Sequence, residues 1–298
     1  GCSMKKKVFF GCVIFVAALV VSAGVFAADF ELVYKMGKVE TRKGDRWTEV
    51  AYGDRVPGDA PIRLAAGAVA EFDAPGGTVV FSKPGTYSLG AVVGADRGAK
   101  PAAVASVVNR MKKIGGTGER GQAAVMGVRA KRADSDSGVG WVQEDDMLVE
   151  DAAAAYGRGD YAGAVKILEK DVDPQDLQDK GAYWYILAAS NYNLGRKGPA
   201  MRVVSSFEPE AGSRYHADFL FLKGLIAYEG RDAAGAAESF TRYTEAAGND
   251  ADRQMGYFLL GQAYLRLGDY AKAKNALQQA MQTGQDAEIK RIARDLMP

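Results

Sequence analysis

The 298-residue chain has few of the residues that commonly perform catalysis or bind metals. It contains two cysteines, Cys2 and Cys12, and one histidine, His216. A serine nucleophile needs a base such as histidine, and a structural zinc site needs about four cysteine or histidine ligands. His216 stands near the start of a predicted helix, where a surface or capping role is expected. We therefore predict no metal site, no cofactor and no enzymatic activity.

Other ligand-binding motifs are also absent from the sequence. The glycine-rich stretch 115–121 lacks the Gly-Lys-Ser/Thr ending of a phosphate-binding loop. Lysine and arginine total 38 and aspartate and glutamate total 37, so the charge is balanced and predicts no affinity for nucleic acid.

The N-terminal region has the pattern of a secretory signal. Lys5, Lys6 and Lys7 precede an uncharged, mainly apolar run over residues 8–26. We interpret residues 1–27 as a signal peptide that is cleaved after Ala27, which predicts export to a bacterial periplasm. A run of this length could also cross a bilayer, so an uncleaved anchor in the inner membrane is the alternative.

Short runs of β-forming residues, separated by glycine and proline turns, follow the signal. Strands are predicted at 31–34, 47–50, 62–64, 68–72, 78–81 and 86–89. Their close spacing favours a small sandwich, barrel or roll with little room for helices. We assign residues 28–92 to this all-β module.

The β-rich segment resembles the FecR domain. The similarity rests on Gly-Val, Trp, Gly-Asp, Gly, Ile-Arg and late Gly-turn features, carried by Gly37, Val39, Trp47, Val50, Gly53, Asp54, Val56, Gly58, Ile62, Arg63, Ala70, Phe72, Gly76 and Val80. Members of that family sense or relay envelope signals, or belong to envelope proteins of other kinds. The resemblance implies that this module is an interaction site.

Residues 93–145 are predicted to be a basic linker that contains glycine. From residue 97 to residue 132 it carries nine basic residues and one acidic residue. A short helix is expected at 100–114 and a strand at 123–130. A solvated linker is the simpler interpretation, and contact with an anionic lipid or cell-wall polymer is the alternative.

The second half of the chain repeats one pattern four times. Small residues recur at intervals of 36 or 37 positions, at Ala164, Ala200, Ala236 and Ala273. Turn residues recur at Gly159, Gly195, Arg231 and Gly268, and apolar residues at Leu168, Val204, Phe240 and Leu277. This period indicates stacked supersecondary units, each of which buries the apolar face of its neighbour.

The repeated unit resembles the tetratricopeptide repeat, an antiparallel helix pair of about 34 residues. The last copy carries the similarity most fully, in Tyr257, Leu260, Gly261, Tyr264, Gly268, Asp269, Tyr270, Ala273, Leu277 and Ala280. The expected fold is α+β in separate domains: the FecR-like β module, then an all-α solenoid. We assign four repeats to residues 146–284 and a capping helix to 285–298.

The repeat register predicts a binding groove on the first helices. In the resembled family the corresponding stripe lines the concave surface, and here it contains Tyr156, Tyr185, Tyr192, Phe221, Leu225, Tyr228, Phe258, Gln262 and Leu265. Exposed aromatic residues of this kind are typical interface anchors. The alternative is that these side chains only pack adjacent first helices together.

These features together predict a non-enzymatic envelope adaptor that binds another protein or a peptide segment in the groove. Two alternatives are a structural protein associated with peptidoglycan or polysaccharide, and an envelope signal relay. Membrane contact is expected only through an uncleaved signal.

Overall fold

The structure is a computed structural model that describes residues 29–74, 77–95, 144–175, 177 and 180–298. The expected signal, the linker helix at 100–114 and the strand at 123–130 lie outside these residues. Within them, an N-terminal region of two antiparallel sheets precedes a C-terminal array of paired helices. This architecture confirms the predicted division into a β-rich part and an all-α part.

Eight strands and one short helix form the β domain. They are β1 (Asp29–Met36), β2 (Val39–Lys43), β3 (Arg46–Glu49), β4 (Arg55–Pro57), β5 (Pro61–Leu64), β6 (Val69–Ala74), β7 (Gly77–Phe81), β8 (Gly85–Ser88) and α1 (Leu89–Ala95). The sequence analysis did not predict β2 and β4. It also expected little room for helices in this domain and did not predict α1. Strand β4 has only three residues, which is too short for a clear alternating pattern.

The strands form two four-stranded antiparallel sheets in the orders β4-β1-β6-β7 and β3-β2-β5-β8. The inner faces of the two sheets share one apolar core, which includes Phe30, Leu32, Ile62 and Phe72. Alternating residues point to opposite faces of a strand. However, β6 is buried on both faces from Val69 to Phe72, because its outer face packs against the helices.

The helical region contains four antiparallel helix pairs and a final helix. They are α2 (Glu144–Gly157) with α3 (Tyr161–Asp171), α4 (Lys180–Asn193) with α5 (Lys197–Ser206), α6 (His216–Glu229) with α7 (Ala233–Ala246), α8 (Asp250–Leu267) with α9 (Tyr270–Gln282), and α10 (Ala287–Asp295). We refer to the four pairs as repeats 1 to 4.

The recurring alanines lie where the helices pack most closely. Ala164, Ala200, Ala236 and Ala273 are all fully buried on the second helices. Gly224 has the same role on a first helix, because a Cβ atom there would lie 2.5 Å from the Phe240 ring. Small side chains at such positions let helix axes approach to about 8–10 Å.

The turns inside the repeats share one backbone conformation. Gly159, Gly195 and Gly268 have φ angles of 80°, 76° and 73°, and Arg231 occupies the same left-handed region with φ of 64°. Glycine adopts this region without strain, whereas a residue with a Cβ atom pays a penalty of about 1–2 kcal/mol. The turn positions predicted from the repeat spacing therefore perform equivalent structural roles.

The last helix, α10, closes the open end of the array. Ile289, Ile292 and Ala293 are buried against repeat 4. The fully buried amide of Gln254 donates to the carbonyl oxygen of Asp286 and accepts from its backbone N–H, at 3.2 Å and 3.0 Å. Both bonds fix the start of α10, which covers the apolar surface that a further repeat would otherwise cover.

Candidate partner-binding site

The nine stripe residues lie mainly inside the array. Seven of them are at most 6% exposed, namely Tyr156, Tyr185, Tyr192, Leu225, Tyr228, Phe258 and Gln262. Phe221 and Leu265 are half-buried. The seven buried side chains present almost no surface to a partner in this conformation. Whether the stripe binds a partner stays a prediction.

Three of the stripe tyrosines each contact the first helix of the next repeat. Tyr156 hydrogen-bonds Asn193, and Tyr192 donates to Glu229 Oε1 at 2.8 Å. The guanidinium of Arg266 lies 3.6 Å from the ring centre of Tyr228. We call Tyr156, Tyr192 and Tyr228 the tyrosine ladder. Its contacts support the alternative in which these aromatics hold adjacent first helices together.

Burial has a clear electrostatic effect on the ladder. It raises the pKa of both the Tyr156 and the Tyr192 hydroxyl above the ordinary tyrosine value, and the nearby Glu229 carboxylate raises that of Tyr192 further. These phenols therefore stay neutral hydrogen-bond donors at physiological pH.

Phe221 and Leu265 differ from the rest of the stripe. Phe221 packs on the second helix of its own repeat, with its ring centre 5.0 Å from that of Tyr243 and 6.4 Å from that of Phe240. Leu265 lies in the last turn of α8, where it is half-buried against the array core. Of the nine residues, these two retain accessible apolar surface.

Gln262 is the one polar member of the stripe. Its side chain is 0% exposed, and among the described residues neither Nε2 nor Oε1 has a hydrogen-bond partner. A buried amide without partners costs about 1–3 kcal/mol of folding free energy. Gln262 therefore holds unused hydrogen-bonding capacity within the predicted binding stripe.

The sequence prediction missed the exposed apolar side chains of the described residues. In repeat 4, Leu267 is 46% exposed and Tyr270 is 61% exposed, on either side of the Gly268 turn. Elsewhere the large exposed apolar residues are Met36, Tyr52 and Met147. Tyr270 matched the repeat pattern, which gave no indication that repeat 4 leaves it in solvent.

The sequence prediction also missed the contact between the β domain and the array. Glu71 on the outer face of β6 accepts a 2.7 Å hydrogen bond from the Gly198 amide. The amide of Val80 on the edge strand β7 donates to the carbonyl oxygen of Gly230 at 2.9 Å. These bonds attach the β domain to the start of α5 in repeat 2 and to the end of α6 in repeat 3, and the repeat pattern does not identify the β segments that they join.

The contact places an acidic group in a buried position. Glu71 is 5% exposed, and burial raises the pKa of its carboxyl, while the Gly198 amide and the Lys197 ammonium oppose that shift. The Asp73 carboxylate adds to the rise. The Gly198 amide and Lys197 therefore offset part of the cost of burying the Glu71 charge.

The described residues contain no group of three or more His, Cys, Asp or Glu side chains that could hold a metal ion. His216 is half-buried at the start of α6, and its Nδ1 lies 3.0 Å from the carbonyl oxygen of Pro209.

Among the described residues, no helix combines the length and apolar character needed to cross a bilayer.

Residues 255–284 match the tetratricopeptide repeat family. The matched segment comprises most of α8 and all of α9, which is the fourth repeat and the copy in which the sequence resemblance is fullest. Comparisons with curated proteins and with solved structures gave no match. Tetratricopeptide repeats are typically non-catalytic modules that bind proteins, so the match supports the predicted array and its use as a protein-interaction scaffold.

Proposed function

We propose that the chain is a non-enzymatic adaptor of the bacterial envelope, in which the helical array binds a protein and the FecR-like β domain is a second interaction site. The observation that carries this proposal is the stack of four helix pairs, of which the last matches a family of protein-binding repeats. The envelope location follows from the signal pattern in residues 1–27 and from the FecR resemblance.

The proposed contact surface is the stripe around Gln262 and Leu265 in repeat 4. Leu265 supplies accessible apolar surface, and Gln262 supplies a donor and an acceptor that no described residue uses. A partner segment that displaced the side chains covering Gln262 could pair with both amide atoms. These hydrogen bonds would offset part of the desolvation cost of the amide. They give a physical reason for a polar residue at this position.

The variant Gln262→Leu can distinguish a loss of partner binding from a loss of folding, because we expect it to stabilise the array. Removing the unpaired amide should raise the free energy of unfolding by about 1–2 kcal/mol. Calorimetry of the full chain measures this gain. If the stripe binds a protein, the same variant should capture less of that protein, and the loss could not be attributed to unfolding.

The capture experiment uses immobilised wild-type chain and the Gln262→Leu variant with solubilised envelope proteins, and in parallel with purified cell wall. We expect at least one protein to bind the wild type and to bind the more stable variant less. Unchanged capture by the variant would contradict the stripe as the site. Retention of the chain by the cell wall with no captured protein would favour the structural alternative.

A further inference from the structure

The second helix of repeat 2 lacks the N-terminal cap that its three counterparts have. Helices α3, α7 and α9 each begin after an aspartate that accepts a hydrogen bond from the amide three residues later, with Asp160 on Gly163, Asp232 on Gly235 and Asp269 on Lys272. In repeat 2 the equivalent residue is Arg196, which makes no side-chain cap. The residue three positions later is Pro199, which has no amide hydrogen to donate.

The missing cap is not explained by a different backbone. Arg196 has φ and ψ of −84° and 74°, and Asp269 at the equivalent position has −84° and 75°. Helix α5 therefore starts as the other second helices do, and the first turn still has free amide groups that need acceptors. The Gly195 carbonyl oxygen accepts from the Lys197 amide at 3.1 Å, but the local sequence supplies no acceptor for the Gly198 amide.

Glu71 of the β domain supplies the acceptor instead. Its Oε2 accepts a 2.7 Å hydrogen bond from the backbone amide of Gly198, the second residue of α5. Position 198 must be small for this approach, because a Cβ atom there would collide with the Tyr34 ring and lie 2.8 Å from Glu71 Oε2. A carboxylate at a helix N-terminus also interacts favourably with the helix dipole.

A second set of contacts continues from this interface to the tyrosine ladder. Lys197 Nζ donates to Thr78 Oγ1 of β7 at 2.9 Å and lies 3.9 Å from Glu229 Oε2. The other oxygen of Glu229 accepts from the Tyr192 hydroxyl. The side chains of Lys197 and Glu229 are only 21% and 16% exposed, so solvent ions screen these interactions less than at an open surface.

We propose that the β domain is a clamp on repeats 2 and 3 of its own chain, in which Glu71 provides the cap that α5 lacks. The chain Thr78–Lys197–Glu229–Tyr192 links docking of the β domain to the packing of the first helices. When the β domain is displaced, α5 loses its cap and Glu229 loses the ordered Lys197 beside it. This inference is independent of the identity of any partner.

Amide hydrogen exchange on the full chain tests the clamp. The Gly198 amide reports the cap, and the Val80 amide, bound to Gly230, reports docking. Glu71→Ala should speed exchange at both amides roughly fivefold or more, because a typical cap contributes about 1 kcal/mol. Amides of α6 near Glu229 should also exchange faster.

Two further variants show whether faster exchange in Glu71→Ala comes from the lost charge, from the lost cap of α5 or from the lost docking of the β domain. Glu71→Gln keeps an oxygen acceptor without the poorly solvated charge, so exchange should stay close to wild type or become slower. In Glu71→Ala combined with Arg196→Asp, the new aspartate can accept from the Gly198 amide two residues later, as Asp286 accepts from Glu288 at the start of α10. The Gly198 amide should then regain protection, whereas Val80 should remain fast.

Two results would overturn the clamp. One is wild-type exchange at Gly198 and Val80 in Glu71→Ala. The other is recovery of Val80 protection in the double variant, since docking would then depend on the order of α5 and not on the Glu71 contact.

Discussion

Replacing Phe240 with alanine is expected to lower the free energy of unfolding by about 3–5 kcal/mol. Phe240 is fully buried on α7, where its ring fills the space beside Gly224 and contacts Phe221. Truncation removes the transfer free energy of the ring and leaves a cavity between the two helices of repeat 3. Because repeat 3 packs against both neighbouring repeats, the loss should also weaken the packing of repeats 2 and 4.

Tyr270→Ala is the matched control for this change. Tyr270 is also an aromatic residue on a second helix, but it is 61% exposed. Its replacement should change the free energy of unfolding by no more than about 0.5 kcal/mol. Denaturant titration of both variants measures the difference. A loss below about 1 kcal/mol for Phe240→Ala would mean that α6 and α7 do not pack as described.

Replacing Gly224 with valine is expected to cost about 3 kcal/mol by overpacking. A Cβ atom at position 224 would lie 2.5 Å, 2.7 Å and 2.9 Å from three atoms of the Phe240 ring. The two methyl groups of valine would add to this collision, so α6 and α7 would have to separate. Glycine is otherwise a poor helix residue, which makes a close approach the reason for its presence here.

The control for this variant is Gly94→Ala in α1. No atom lies within 4 Å of a Cβ built at that glycine, so alanine should leave stability unchanged or raise it slightly. Thermal unfolding of the two variants provides the comparison. A Gly224→Val chain as stable as wild type would show that the first and second helices of repeat 3 are further apart than the structure places them.

The sequence was sufficient to predict the repeat architecture, because close helix packing restricts which residues can occupy the crossing points. Ala200 and Ala236 recur at a fixed interval for that reason, and the turn residues recur with them. The β region was predictable for a similar reason, since glycine and proline mark the ends of its strands.

The exposure of the stripe could not be predicted in the same way. Periodicity shows that Tyr192 and Tyr228 share a face, but not how closely the next first helix approaches that face. That distance depends on side chains contributed by the following repeat, such as Glu229 and Arg266. The stripe therefore looked like an open groove in sequence and is largely buried in the structure.

The repeat pattern could not predict the docking of the β domain on the array either. Glu71 and Gly198 are far apart in the chain, and each is unremarkable in its own segment. The one local signal was Arg196-Lys197-Gly198-Pro199, where the aspartate of the other repeats is absent. A missing cap indicates that an acceptor must come from elsewhere, but it does not identify the segment that supplies this acceptor.

The most direct test of the adaptor is photo-crosslinking in living cells, with a photoreactive amino acid placed at Leu265 in one variant and at Tyr52 in another. Leu265 lies in the stripe of repeat 4, and Tyr52 is an exposed residue of the β domain. We expect the Leu265 position to give a discrete adduct with another protein. No protein adduct from Leu265, together with adducts from Tyr52 alone, would contradict a binding function of the helical array.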